Sequence, residues 1–436
     1  MNTNTGFLRP SAFFLLVFML AGAPARKAMA AGRGGRAQAP AQIRLPGYPS
    51  AWKGERTLSE IKAEALRRAK LDLYPLTGIS PADLQEAFAS IHALGKDQWG
   101  PAFIAVGDRY MAEANRLAKS SPAEANKDYL KAWRIYSFGR WPVSWSEGRK
   151  RSYQKSIAAF LDYARSLHPP LQIVRIPYAG SEIVAYLRLP SERRGPVPLV
   201  IGISGLDGRK EGQVLQFAPL LSHGIAFLAV DGPGTGQAPV KFSPTADKMF
   251  SRILDYLETQ PEIDKSRIAV YGASLGSYWA TKLAFTERAR LKFVLAQSPG
   301  ANDLFQKKWV EDNIVGNHEY LYGFAPALMH IMAGDVDTLS QFETAWAANS
   351  LVAQHLIEKP SAPMLIIGGA KDSQVPIADT SLLLESGQTP KYAWVNPLGG
   401  HMGPDMIHWP RPRIFKEVTL PWLVRALQEN SSGESR

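Results

Sequence analysis

The chain contains no cysteine, which excludes a disulfide framework, a thiolate metal site and a cysteine nucleophile together. It also lacks the compositional signs of disorder: 45% of its 436 residues are hydrophobic and 20% are charged, the balance of an ordinary globular protein. That length accommodates one large domain and a smaller one. There is no P-loop and no H-E-x-x-H metal motif. The glycines of Asp231-Gly-Pro-Gly-Thr-Gly-Gln237 are interrupted by Pro233 and do not have dinucleotide-fingerprint spacing, so they read as a tight structural loop. No cofactor and no metal are expected. The net charge is +11, yet no nucleic-acid-binding motif accompanies it. The one dense basic run, Arg149-Lys150-Arg151 with Arg140 and Lys155 nearby, reads as a solvated face, and no nucleic-acid partner is expected.

The first thirty residues have the pattern of an export signal. Arg9 precedes a short apolar stretch over residues 12–22, and Ala28-Met29-Ala30 fits a cleavage site that would leave Ala31 first. The stretch is short of the roughly 20 residues a spanning helix needs, so no stable membrane insertion is expected after cleavage; the alternative is an uncleaved anchor. Residues 31–55, rich in Gly, Ala, Pro and Arg, read as a flexible leader. The expectation is a periplasmic or secreted protein.

Residues 56–170 form a run of helical patterns. Thr57 with Glu60 makes a capping box, and Ser80-Pro81-Ala82-Asp83 opens a second helix with proline at its first position. Helices follow around 100–119, 122–138 and 144–167. From residue 171 to 430 the pattern changes to short apolar strands separated by helices, beginning with a hairpin turned at Tyr178-Ala179-Gly180. Such alternation implies a mostly parallel sheet with helices on both faces, whose chemistry gathers at the carboxyl ends of the strands. An aromatic-rich insert at about 302–358 breaks the alternation; it is either a lid over the site or a crossover with an extra helix.

Gly272-Ala273-Ser274-Leu275-Gly276 is a G-x-S-x-G motif between a strand and a helix. A serine there projects from a sharp turn, and the glycines let neighbouring backbone come close, which identifies Ser274 as a nucleophile on an α/β-hydrolase fold. A serine hydroxyl needs a base, and in this fold the order is serine, acid, histidine. That order removes His92, His168 and His223. His401, in the glycine loop after the last strand, is the candidate base, with His408 as runner-up. Asp372, just past the strand ending at Ile367, is the candidate acid, with Asp303 as competitor. The Leu275 amide and that of Leu206 or Gly205, after the strand ending at Ile203, are the candidate oxyanion donors. Lys210 and Glu211 would support that loop or the substrate.

These segments, with Gly107-Asp108-Arg109-Tyr110 and Tyr129-Leu-Lys-Ala-Trp133 plus Tyr136 in the helical part, resemble the α/β-hydrolases grouped with dihydroxypseudooxynicotine hydrolase and the fermentation–respiration switch esterase, over about residues 85–425. The resemblance implies Ser274, Asp372 and His401 as the triad, a small-molecule ester or ketone bound between the two domains, and a homodimer through the helical one. Some members of that group cleave carbon–carbon bonds beside a ketone and others esters. Ester hydrolysis through an acyl-enzyme is the leading expectation. Carbon–carbon cleavage, a peptidase or amidase, and a non-catalytic binding protein on a hydrolase scaffold are the alternatives; the last predicts a broken triad, and all three positions are filled.

Overall fold

The computed structural model describes residues 54–428, so the expected signal peptide (1–30) and nearly all of the expected leader lie outside the described residues. Five helices come first: α1 (Leu58–Lys70), α2 (Pro81–Ala89), α3 (Trp99–Leu117), α4 (Pro122–Gly139) and α5 (Glu147–Ala164). The capping box at Thr57 is made: the Glu60 amide donates to Thr57 Oγ1 at 3.3 Å, and the Thr57 amide donates to Glu60 Oε2 at 2.7 Å. One face of α1, Ile61, Ala65 and Ala69, is buried at a spacing of one turn. Close to the start of the described chain, the Arg56 guanidinium donates to the carbonyls of His318, Tyr320 and Leu321 at 2.6–2.8 Å. The expected helix over 144–167 starts later, at Glu147, because Ser146 accepts a hydrogen bond from the Arg149 amide and caps it there.

Eight strands follow in one sheet, β1 (Gln172–Tyr178), β2 (Ser181–Arg188), β3 (Val197–Ile203), β4 (Ala226–Val230), β5 (Ile263–Ala273), β6 (Phe293–Gln297), β7 (Met364–Gly369) and β8 (Lys391–Asn396), in the order β1-β2-β4-β3-β5-β6-β7-β8. The first two pair antiparallel, β2 joins β4 antiparallel, and all remaining pairs are parallel. Helix α6 (Lys210–Phe217) follows β3, α7 (Lys248–Glu258) precedes β5, and α8 (Leu275–Thr286) follows it. Side chains alternate between two cores: Leu199, Ile201 and Ile203 of β3 join the cluster with α7 and α8, while Val200 joins the one with α6 and the last helix, Leu420–Gln428. This is the α/β-hydrolase fold preceded by an all-helical region. No helix among the described residues is long and apolar enough to cross a membrane.

The order reverses between β3 and β5, since the chain builds outward from β3 to β4 on one side and from β5 to β6 on the other. In open parallel sheets a crevice opens at such a switch point, beyond the carboxyl ends of the strands. Here those two ends carry the Gly205–Leu206 loop and Ser274.

The helical region and the sheet share apolar cores: Phe160 of α5 is fully buried and stacks on Tyr186 of β2 at 5.9 Å with 11° between the rings. Truncating it removes that contact and leaves a cavity. Phe160→Ala is expected to cost about 3–5 kcal/mol, read by denaturant unfolding. Far-ultraviolet circular dichroism and tryptophan fluorescence should shift together; separate transitions would contradict the shared core.

Candidate active site

Ser274 sits between β5 and α8 with φ 55° and ψ −127°, a left-handed backbone that a non-glycine residue adopts only when its surroundings enforce it. They do so by close packing. A Cβ at Gly276 would lie 2.4 Å from the Ile203 carbonyl oxygen, and one at Gly272 would lie 2.1 Å from that of Gly276. The start of α8 is therefore pressed against the end of β3. The Ser274 amide donates to the Gln297 carbonyl at 2.9 Å, fixing the turn from the other side.

His401 Nε2 lies 2.8 Å from Ser274 Oγ, and its Nδ1 lies 2.9 and 3.1 Å from the Asp372 carboxylate oxygens. Asp372 Oδ1 also accepts from the Gln374 and Val375 amides at 2.9 and 2.8 Å. Both side chains are buried. Burial opposes the charge of each, but their mutual attraction outweighs it: Asp372 is held below the usual carboxylate range, and His401 is raised above the ordinary imidazole value. The structure thus brings the three expected residues into one hydrogen-bonded chain. The runners-up stand apart. His408 is exposed, with Nδ1 3.9 Å from Asp405, and Asp303 accepts from the Asn302 side-chain amide at 2.8 Å.

Leu275 begins α8, so its amide is one of the free donors at a helix N-terminus. Gly205 passes close to Ser274, and a Cβ there would lie 3.7 Å from its Oγ. Leu206 is buried and lines the same cavity as Ser274 and Leu275. That loop is anchored from below. The fully buried Lys210 ammonium donates to Asp231 Oδ2 at 2.9 Å, its amide donates to Oδ1 at 2.9 Å, and Glu211 lies 3.2 Å from the same ammonium. The Gln237 amide and the Tyr153 hydroxyl reach the same carboxylate at 3.0 and 3.4 Å. Lys210 and Glu211 therefore support the loop.

The insert covers the site. Phe324 and Leu328 from helix Phe324–Ile331 and Trp346 from helix Leu339–Ala347 close, with Leu206, Leu304, Gln374 and Val375, over an apolar cavity of about 20 Å³ beside Ser274. That is room for about one water molecule.

Two carboxylates with no local sequence signal organise the loops. Glu319, in the insert, accepts the His401 amide on Oε1, and the Ser373 amide and hydroxyl on Oε2 at 3.0 and 2.7 Å, so it joins the histidine and aspartate loops. Asp379 is buried and accepts the amides of Ala301, Asn302, Asp303 and Leu304 at 2.7–3.1 Å. Behind the histidine loop, Gln297 Nε2 donates to the Met402 carbonyl and Ser298 Oγ accepts the Met402 amide. The basic run also departs from the expected solvated face. Arg140 and Arg149 are buried, and Arg149 lies over the Trp99 and Trp145 rings and donates to Tyr322 and the Trp141 carbonyl. Only Lys150, Arg151 and Lys155 face water. Aromatic faces and carbonyls stabilise a desolvated guanidinium, a possibility that charge patterning alone does not register.

A strand–serine–helix elbow at the switch point of this sheet, with an imidazole and a carboxylate behind the serine, defines the class: an α/β-hydrolase. Residues 99–397, more than half of the chain, match the family model described as Esterase FrsA-like, and the chain belongs to that family. It is 25% identical over 345 residues to esterase FrsA of Serratia proteamaculans (strain 568), covering 73% of this chain and 80% of that protein. It is 25% identical over 290 residues to 2,6-dihydropseudooxynicotine hydrolase of Paenarthrobacter nicotinovorans, covering 66% and 74%. The match to hydrolyase poxO of Penicillium oxalicum, 27% over 238 residues, spans only 56% of that protein. The crystal structure of the 2,6-dihydroxy-pseudo-oxynicotine hydrolase shares the fold, with a TM-score of 0.64 and 23% identity over 80% of this chain and 94% of that one.

The His401–Asp372 pair has a measurable signature. The His401 imidazole is expected to titrate above 6.5 by NMR, and Asp372→Asn, which removes the partner charge while burial remains, should bring the midpoint down. A raised folded pKa contributes stability that is fully present below the unfolded value and is lost as pH rises through the folded one. A wild-type midpoint at or below 6.5 would contradict the pairing.

Proposed function

We propose that this chain is a serine hydrolase that forms an acyl-enzyme on Ser274 and cleaves a carbon–carbon bond beside a ketone. The observation that carries the serine-hydrolase part is the continuous line Ser274 Oγ–His401 Nε2, His401 Nδ1–Asp372, at 2.8 and 2.9 Å. In this reading Ser274 Oγ attacks the ketone carbonyl and its proton passes to His401 Nε2. The Leu275 amide and that of Leu206 or Gly205 bind the oxyanion. As the tetrahedral intermediate collapses, the carbon–carbon bond breaks, and the leaving carbon, stabilised as an enolate by a second carbonyl that the substrate carries beta to the first, takes the proton from His401. Water, deprotonated by His401, then releases the acyl group. Asp372 holds the imidazole tautomer and stabilises the imidazolium.

Carbon–carbon cleavage is favoured by the likeness to the 2,6-dihydropseudooxynicotine hydrolase over 74% of that protein, and by the apolar side chains beside Ser274, which limit competition from water when an enolate takes its proton from His401. The second reading is ester hydrolysis by the same steps, favoured by the match to esterase FrsA. We further propose that the chain is exported and cut after Ala30.

Purified protein is expected to be captured covalently by a fluorophosphonate and to consume benzoylacetone, whose enol absorbance reports carbon–carbon cleavage. Both activities should fall by about 10³-fold or more in Ser274→Ala. Turnover of a nitrophenyl ester with no loss of benzoylacetone would transfer the assignment to the ester reading; full activity in Ser274→Ala would overturn both. For export, mass spectrometry of protein from a periplasmic or culture-supernatant fraction should find Ala31 at the N-terminus. An intact residue 1–30 segment there would contradict cleavage.

A further inference from the structure

Three of the residues that line the cavity beside Ser274 carry a polar side-chain atom: Ser274 itself, Trp346 and Gln374. Two of them are engaged. The Ser274 hydroxyl lies 2.8 Å from His401 Nε2, and the Trp346 indole N–H donates to the Leu304 carbonyl at 2.9 Å. Gln374 differs. Its hydrogen bonds among the described residues are made by its backbone alone: the amide donates to Asp372 Oδ1 at 2.9 Å, and the carbonyl accepts the Trp309 indole N–H at 3.3 Å. Its side-chain amide has no partner among the described residues. Gln374 is only 6% exposed, and that remaining surface includes both amide atoms, so the group is within reach of a ligand in the cavity it lines.

An amide is a costly choice at such a position. Buried without a partner, it loses its bonds to water and gains none in return. Leucine or methionine would fill the same space in an otherwise apolar wall. Small-molecule sites have this composition, apolar walls with a few placed polar groups that fix orientation. The position of Gln374 is also tied to the catalytic residues. It lies two residues after Asp372, in the loop between β7 and helix Ile377–Glu385, and its backbone amide holds the Asp372 carboxylate. As it stands the cavity has room for about one water molecule, so a substrate enters only as Phe324, Leu328 and Trp346 of the insert give way. The tie between Gln374 and Asp372 does not depend on them.

We propose that the Gln374 side-chain amide binds the second carbonyl of a β-diketone substrate, the one that Ser274 does not attack, and stabilises the enolate that leaves. As the carbon–carbon bond breaks, its electron pair moves into the leaving fragment, and the negative charge settles on that fragment's carbonyl oxygen. The Gln374 N–H donates a hydrogen bond to this oxygen and gives up no proton; His401 supplies the proton to carbon. A hydrogen bond to a developing oxyanion is stronger than one to a neutral carbonyl, so it speeds cleavage as well as binding the substrate. Gln374 then selects a substrate with a second carbonyl over a monoketone. The proposal rests on the carbon–carbon reading, and its test separates the two.

Binding is measured by calorimetry to Ser274→Ala, which cannot turn the probes over. The probes are benzoylacetone and two monoketones of the same carbon skeleton, butyrophenone and benzylacetone, each of which lacks one of its carbonyls. Benzoylacetone should bind about tenfold tighter than either, and adding Gln374→Met should bring the ratio close to unity. The substitution keeps the length of the side chain and the backbone amide that holds Asp372. Because the ratio is read within each variant, a general loss of folded protein cancels. With Ser274 restored, Gln374→Met should lower kcat/KM for benzoylacetone relative to nitrophenyl acetate by about 10²-fold. The absence of a diketone preference in Ser274→Ala, or a binding or kinetic ratio unchanged by Gln374→Met, overturns the proposal. A diketone preference that Gln374→Met removes, combined with a wild type that does not consume benzoylacetone, upholds the carbonyl site at Gln374 and removes the carbon–carbon reading.

Discussion

The Asp231 carboxylate is the point on which the active-site side of the molecule is assembled. Buried at the end of β4, it accepts the ammonium and amide of Lys210, the amide of Gln237 and the hydroxyl of Tyr153. It thereby ties the loop after β3, the glycine loop after β4 and helix α5 to one another. A buried ion pair of this kind gives little net stability, but losing one partner strands the other, at about 3–5 kcal/mol. Its contribution is placement: the segment carrying Gly205 and Leu206 is held from beneath, close to Ser274.

Above that base the site is held from opposite sides by different means. The serine elbow is set by steric exclusion, with Gly276 against Ile203 and Gly272 against Gly276. The histidine and aspartate loops are set by polar contacts, through Glu319 on one side and Gln297 and Ser298 on the other. The apolar side chains of the insert complete the enclosure.

The architecture was legible in the sequence because its signals are local. Short apolar strands, Thr57 with Glu60, Ser80 with Pro81 and the G-x-S-x-G turn each declare themselves within a few residues. Order along the chain and loop placement picked out Ser274, Asp372 and His401, and the imidazole lies within hydrogen-bond distance of the other two. The supports were not legible. Glu319 lies 82 positions from His401, within a stretch whose aromatics suggested only a cover, and Asp379 collects four amides from a loop 75–78 residues upstream. Nor could Arg140 and Arg149 be told from the lysines beside them, since what distinguishes them is the tertiary company of tryptophans, carbonyls and a second arginine.

Arg56 gives the chain an unexpected mechanical property. Its guanidinium holds the carbonyls of His318, Tyr320 and Leu321, the residues on either side of Glu319, and Glu319 in turn holds His401 and Ser373. The segment entering the helical region is thus a guy-line to the loops that carry His401 and Asp372. Trimming past this arginine, or straining it with a bulky tag, would be felt at the imidazole as a change of posture, although the two are far apart in the chain. Boundaries for expression are best set upstream of it.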